Sequence, residues 1–192
     1  MIDLAAYFAR IGYDGPREAS VQVLRDVHAL HIASVVFEDI DVQLGRGIDI
    51  APEAVDAKLI GARRGGYCYE QNGLLKRVLE ALGFQVEGLL GRVQWMLPAE
   101  PARGRTHMAL RVAIDGETWL TDVGFGSALP GPIRFDVDGP QKTAHEDYRM
   151  ASVGRERRLE AMIAGTWEPV YQLNLEPQLD VDYVQPNWFS ST

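Results

Sequence analysis

Apolar residues in the first part of the chain recur at helical spacing. An N-terminal helix is predicted to begin near Asp3 and to end at Gly12, and a second is predicted to follow Ser20. Residues 49–62 predict a third helix, with Pro52 in its first turn. The clearest helix covers about residues 68–82, where one face is apolar and Gly83 follows as a stop. The apolar residues of that face are Leu74, Leu75, Val78, Leu79 and Leu82.

From Phe84 onward the apolar positions alternate with a period of two, which predicts strands. The alternation is clearest over residues 108–114, and Asp115-Gly116 then indicates a two-residue hairpin turn. Residues 134–158 carry weaker strand signals, and residues 167–175 predict a further strand. The sequence therefore predicts an α+β protein, with a helical domain over 1–83 followed by an antiparallel sheet or barrel over 84–175.

Composition narrows the classes of function. Of the 192 residues, 46% are hydrophobic, which is enough for a packed core and argues against disorder. Acidic residues outnumber Lys and Arg by 27 to 19, which argues against nucleic acid or an anionic membrane as a partner. Because the single cysteine cannot form an internal disulfide, and no secretory or membrane-spanning pattern is visible, we expect a soluble, cytoplasmic protein without a metal.

That single cysteine, Cys68, directly follows the sequence Arg63-Arg64-Gly65-Gly66-Tyr67 and opens the clearest helix. Free backbone amides and the positive end of the helix dipole favour an ionised sulfur there, as a nucleophile requires. The glycines permit close backbone approach, and the same amides are placed to hold an oxyanion. On position alone, a small buried side chain in a tight turn is an equally good interpretation of Cys68.

The hairpin supplies a candidate base. If Asp115 and Gly116 are the turn residues, the residue numbers of each pair of opposite residues on the two strands add up to 231. His107 and Asp122 are then diagonal neighbours on one face of the sheet. A carboxylate beside an imidazole orients the ring and stabilises its protonated form, as in a Cys-His-acid triad. The other histidines are interpreted as structural or solvated: His28, His31 and His145.

The motif from Arg64 to Glu70, with Asn72, resembles the active-site motif of the arylamine N-acetyltransferases. The sequence Val123-Gly124-Phe125-Gly126 resembles the loop that follows the family's triad acid, and the order Cys68, His107, Asp122 also agrees. In the helical half, the resemblance extends to Phe37-Glu38-Asp39, Asp41 and Leu44-Gly45-Arg46.

The resemblance implies a helical domain, a β-barrel domain and a ping-pong transfer of acetyl from acetyl-CoA to an aromatic amine or hydrazine. It implies that Cys68, His107 and Asp122 are catalytic and that Phe37 and Phe125 line the acceptor pocket. It further implies that Arg64 and Glu38 form a structural ion pair and that Gly126 approaches CoA.

Two departures from the family pattern stand out. The family has Pro-Phe-Glu-Asn where this sequence has Val36-Phe37-Glu38-Asp39, a change expected to reshape the pocket floor. Family chains also continue into a third, lid-like domain, of which residues 176–192 would be only the start. Loss of a packed lid exposes apolar surface, so we expect either a homodimer through that surface or a shortened chain with impaired activity.

Two alternatives remain open from the sequence. One is a papain-like or transglutaminase-like acyl transferase, which uses the same chemistry and chain order. The other is a catalytically impaired remnant that acts as a binding module.

Overall fold

The structure is a computed structural model that describes residues 1–98, 101–126 and 129–192. Helices form its first part, and local capping explains where they begin: Asp3 Oδ1 accepts from the Ala6 amide at 3.0 Å, and Ser20 Oγ accepts from the Val23 amide at 3.3 Å. The first helix ends at Gly12, with φ 72°. The helices are α1 (Leu4–Ile11), α2 (Val21–Ser34), α3 (Ile40–Gln43), α4 (Pro52–Val55) and α5 (Cys68–Ala81).

The helix predicted over residues 49–62 begins at Pro52 but changes character after α4. Residues Asp56–Gly61 form a π-helical continuation, in which the Ala62 amide donates to the Ala57 carbonyl at 2.8 Å. Arg10 lies against this turn, and its Nε donates to the Leu59 carbonyl at 2.9 Å. The short helix α3 has no counterpart among the predicted elements.

Within the described residues, seven antiparallel strands form one sheet in the order β4-β3-β2-β1-β7-β6-β5. The predicted hairpin is confirmed: Ile114 pairs with Glu117 around Asp115 (φ 51°) and Gly116 (φ 80°), the two positive φ values of a type I′ turn. The strands are β1 (Gln85–Val93), β2 (His107–Ile114), β3 (Glu117–Thr121), β4 (Ile133–Arg134), β5 (Tyr148–Val153), β6 (Glu156–Ile163) and β7 (Thr166–Leu173).

The two faces of β2 bury different cores. Met108, Leu110 and Val112 pack with the helices, in a cluster that also contains Leu74 and Leu75 of α5. Ala109 of β2 belongs to a second cluster, which fills the inside of the barrel with residues from β1, β3, β5, β6 and β7. The predicted α+β class, helices followed by an antiparallel barrel, is confirmed. Because α5 packs on β1 and β2, the start of that helix lies beside the start of β2.

After β7 the chain returns to the helical part. A 3₁₀ turn (Asp180–Tyr183) leads into α6 (Val184–Ser191), and Asn187 anchors this segment by donating to the Ile48 carbonyl at 2.9 Å. The Tyr67 hydroxyl donates to Asn187 Oδ1, which ties α6 to the residue before Cys68. None of the helices over the described residues has the length and apolar character that crossing a bilayer requires.

Candidate active site

Cys68 is the first residue of α5, and the turn before it is held from several directions. Gly66 is bonded on both sides: its amide donates to the Val36 carbonyl at 3.2 Å, and its carbonyl accepts from Gln71 Nε2 at 2.7 Å. A Cβ at Gly65 would lie 2.1 Å from the Val36 carbonyl oxygen, a distance that no side chain can adopt. Gly65 is therefore required by a close backbone approach, whereas a Cβ at Gly66 would lie 2.8 Å from the Glu70 side chain, and together these contacts fix the turn before the sulfur.

The candidate base and acid form a direct, buried pair. His107 Nε2 lies 2.7 Å from Asp122 Oδ2, and both side chains are almost completely buried. Since Nε2 faces the carboxylate, the ring presents Nδ1 to other partners. The diagonal placement expected from the hairpin register therefore corresponds to a hydrogen bond between the two side chains.

Asn72, which the sequence indicates only as part of the motif around Cys68, joins the helix to this pair. Its Nδ2 donates to Asp122 Oδ1 and to the Met108 carbonyl, each at 2.8 Å, and its Oδ1 accepts from the Val123 amide at 3.0 Å. Spacing could have identified it, because a residue four positions after Cys68 lies on the same face of α5. Asn72 thus holds the acid in place from the element that carries the cysteine.

The electrostatics of the pair favour a protonated imidazole. Burial by itself lowers the pKa of His107, but the Asp122 carboxylate and the Cys68 side chain outweigh this effect and raise the pKa to about 10. For Asp122, burial raises the pKa, yet the His107 charge and the bonds from Asn72 and Gly124 bring it below its usual value. The site is therefore arranged to hold an imidazolium between two groups that can carry negative charge.

Cys68 lies against the start of β2. Its side chain is 7% exposed, and its Sγ is 3.8 Å from the Thr106 carbonyl oxygen, one residue before His107. The Cys68 side chain is also one of the groups that raise the pKa of His107, the residue after Thr106. Gly124 closes the other side, where an added Cβ would lie 2.6 Å from the Cys68 Cα. A sulfur, an imidazole and a carboxylate so connected can carry out nucleophilic acyl transfer.

Aromatic rings form one wall of the site. Phe125 meets His107 edge to face, with ring centroids 5.0 Å apart, and Tyr171 of β7 lies 4.7 Å from the same histidine ring. Phe37 is 46% exposed, and its ring carbon Cγ lies 3.7 Å from the position of a Cβ at Gly126. The structure thus places Phe125 beside His107 and places Phe37 beside Gly126. No local signal identified Tyr171, because its position depends on the pairing of β7 with β1.

Arg64 and Glu38 lie 2.8 Å apart, within a larger charged network. Asp41 also contacts Arg64 at 2.8 Å, and Lys58 of the π-helical turn contacts both acids and lies 2.8 Å from Glu70. Glu70 is buried and accepts from the Tyr67 amide at 3.0 Å. The network therefore connects the glycine turn to the helical part through Lys58 as well as Arg64.

The remaining histidines lie elsewhere. His28 and His31 are buried with hydrogen-bond partners, and burial lowers the pKa of His28 to about 4 and that of His31 to about 3. His145 is exposed in a loop. Over residues 1–98, 101–126 and 129–192, no group of three or more His, Cys, Asp and Glu side chains is placed to bind a metal ion.

Comparisons with known proteins agree with this geometry. The N-acetyltransferase family model matches residues 20–192. The arylamine N-acetyltransferase of Mycolicibacterium smegmatis is 43% identical, and the alignment covers 100% of this chain and 71% of that protein. Its counterpart in Escherichia coli K12 is 42% identical, over 96% of this chain and 66% of the relative. Among solved structures, the Mycobacterium marinum arylamine N-acetyltransferase in complex with CoA has a TM-score of 0.95 at 38% identity, covering 99% of this chain and 72% of that chain.

Proposed function

The chain belongs to the arylamine N-acetyltransferase family, and we propose that it transfers an acetyl group from acetyl-CoA to an aromatic amine or hydrazine through an acetyl-Cys68 intermediate. The observation that carries the mechanism is that the buried His107–Asp122 pair, joined at 2.7 Å, lies beside Cys68 at the start of α5, whose Sγ is 3.8 Å from the carbonyl oxygen of the residue before His107. Family membership favours this function over a papain-like or transglutaminase-like activity.

In the first half-reaction, the Cys68 thiolate attacks the thioester carbonyl of acetyl-CoA. The carbon–sulfur bond to CoA breaks, and the His107 imidazolium gives its proton to the departing CoA thiolate. The Cys68 amide, at the first position of α5, has no acceptor within the helix and is placed to stabilise the oxyanion. This half-reaction leaves an acetyl thioester on the cysteine and a neutral His107.

In the second half-reaction, the nitrogen of the aromatic amine attacks the acetyl carbon of the thioester. His107 accepts the proton that the amine loses, and the bond from the acetyl carbon to Sγ breaks, which restores the thiolate and imidazolium. Asp122 keeps Nε2 protonated throughout, so the proton exchange takes place at Nδ1. Phe125 and Phe37 are proposed to contact the aromatic ring of the acceptor, and Gly126 to approach CoA.

Intact-protein mass spectrometry after incubation with acetyl-CoA tests the donor and the nucleophile together. We expect a single added acetyl group that peptide mapping locates at Cys68, absent from Cys68→Ser, and its loss with release of the acetylated amine when 4-aminobenzoate is added. Acylation by a peptide or glutamine substrate and not by acetyl-CoA would contradict the proposal. No acylation by either would favour the binding-module alternative.

The expectations about location and assembly remain proposals. A cytoplasmic location is compatible with an activity that uses acetyl-CoA. A homodimer would use the apolar side chains exposed on and before α6, among them Val184, Trp188 and Phe189. Light scattering coupled to size exclusion tests it: a monomer mass at all concentrations would remove the homodimer from consideration.

A further inference from the structure

A cavity adjoins the active-site wall at Phe125. It has a volume of about 220 Å³ and lies at one end of the barrel. Three aromatic side chains line it, Trp95, Phe125 and Tyr148, together with aliphatic side chains of β6 and β7. The acidic residue Glu146 completes the lining.

Phe125 connects this cavity to the catalytic residues. Its ring contacts His107 edge to face at 5.0 Å and also contacts Tyr171 at 5.3 Å. A flat ligand that packs on Phe125 therefore lies beside the group that exchanges protons and beside the cavity. The cavity is large enough for part of such a ligand, since about 150 Å³ suffices to bind benzene in a protein interior.

The charge that lines the cavity is negative. Glu146 is exposed, and no salt bridge joins it to another residue within the described ranges. Glu146 and Tyr148 line the same cavity, and the pKa of the Tyr148 hydroxyl is raised mainly by burial and further by the negative charge of Glu146. Aromatic faces and a carboxylate both attract a cation, and quaternary ammonium groups are recognised by just such aromatic side chains.

We propose that this cavity binds a cationic substituent on the ring of the acceptor amine, and that Glu146 determines the preference for acceptors carrying such a group. The inference rests on the proposed acetyl transfer and deepens it by naming the acceptor class. Glu146 would act only in the second half-reaction, because the aromatic amine enters the site only in that step. Glu146 would affect which acceptors react fastest, and it would not contact the reacting atoms.

The test uses enzyme that has first been acetylated on Cys68 and then mixed with one of two acceptors of equal shape. (4-Aminobenzyl)trimethylammonium carries a permanent charge, and 4-neopentylaniline replaces its nitrogen with carbon. The second-order rate constant for loss of the acetyl group is measured for each acceptor, with wild type, Glu146→Gln and Glu146→Lys. Glu53→Gln serves as the matched control, because Glu53 is an exposed carboxylate on α4.

For wild type we expect the charged acceptor to react about fivefold faster than the neutral one, the size of effect that a partly solvated ion pair provides. Glu146→Gln should abolish this ratio, Glu146→Lys should reverse it, and Glu53→Gln should retain both the ratio and the rate with the neutral acceptor. An unchanged ratio in Glu146→Gln, or equal slowing of both acceptors, would overturn the inference. Failure of Cys68 to become acetylated at all would instead contradict the proposed function, so the two failures are distinguishable.

Discussion

Replacement of Asp122 by Asn tests whether the carboxylate charge activates the site. Asn has the same shape, and its amide oxygen can still accept from Asn72 Nδ2 and the Gly124 amide, which now bond to Asp122 Oδ1 at 2.8 and 2.9 Å. The amide nitrogen would then face His107 Nε2, which lies 2.7 Å from Oδ2. Because that nitrogen donates, Nε2 would have to lose its proton and accept, and Nδ1 would have to carry the proton toward Cys68.

The magnitude follows from the pKa of His107. At neutral pH a pKa of about 10 leaves about a thousand protonated rings for each neutral one. Without the carboxylate, the largest of the effects that raise the pKa is lost while burial still lowers it, so the pKa falls and the neutral ring becomes more populated than in wild type. With the wrong tautomer added, we expect acetylation of Cys68 to slow by about 10³- to 10⁴-fold, as for comparable substitutions in Ser-His-Asp triads.

The assay is the rate of acetyl-Cys68 formation, followed by quenched mass spectrometry, together with the pH dependence of Cys68 alkylation by iodoacetamide. Asp115→Asn is the matched control, because Asn-Gly is a favoured type I′ turn and this position is remote from the chemistry. If Asp122→Asn is acetylated within tenfold of wild type, or shows the same alkylation profile, the charge of Asp122 does not activate the site.

Three further predictions concern the supports of the site. Gly124→Ala should reduce acetylation by more than about 10²-fold, because the new Cβ would lie 2.6 Å from the Cys68 Cα and displace the nucleophile. Lys58→Met should lower the free energy of unfolding by about 3 kcal/mol, because the buried Glu70 carboxylate loses its partner at 2.8 Å. The pKa of His107 is about 10 in the folded protein, above the value of 6.5 in the unfolded chain. Protonation of His107 therefore contributes fully to the free energy of unfolding below pH 6.5. This contribution, at most about 5 kcal/mol, is lost as the pH rises toward 10.

Each of these has its own control. Acetylation of Gly124→Ala at the wild-type rate would show that the loop yields without moving the cysteine. Adding Glu70→Gln to Lys58→Met should restore most of the lost stability in urea unfolding, and no recovery would assign the loss to packing. Wild type and His107→Gln should differ in how the free energy of unfolding changes between pH 6.5 and 10, whereas parallel curves would refute the raised pKa of His107.

Local sequence was sufficient for the hairpin and for the faces of its strands. Asp115-Gly116 has positive φ at both positions, and this turn geometry alone fixes which residues of β2 and β3 are opposite. The alternation of apolar and polar residues then assigns the faces, which is how His107 and Asp122 could be expected on the same side. The start of α5 was likewise predictable, since the glycine turn and the apolar face of the helix are both local features.

Tertiary structure alone decided how these pieces combine. The packing of α5 on β1 and β2 brings Cys68 to His107, and Asn72 bonds to Asp122 only because that packing exists. Tyr171 reaches the histidine because β7 pairs with β1, about 80 residues earlier in the chain. Turns and helix starts are set by the φ and ψ preferences of neighbouring residues. The contacts between α5, β2 and β7 depend instead on which distant apolar faces are buried together, and no local pattern encodes that choice.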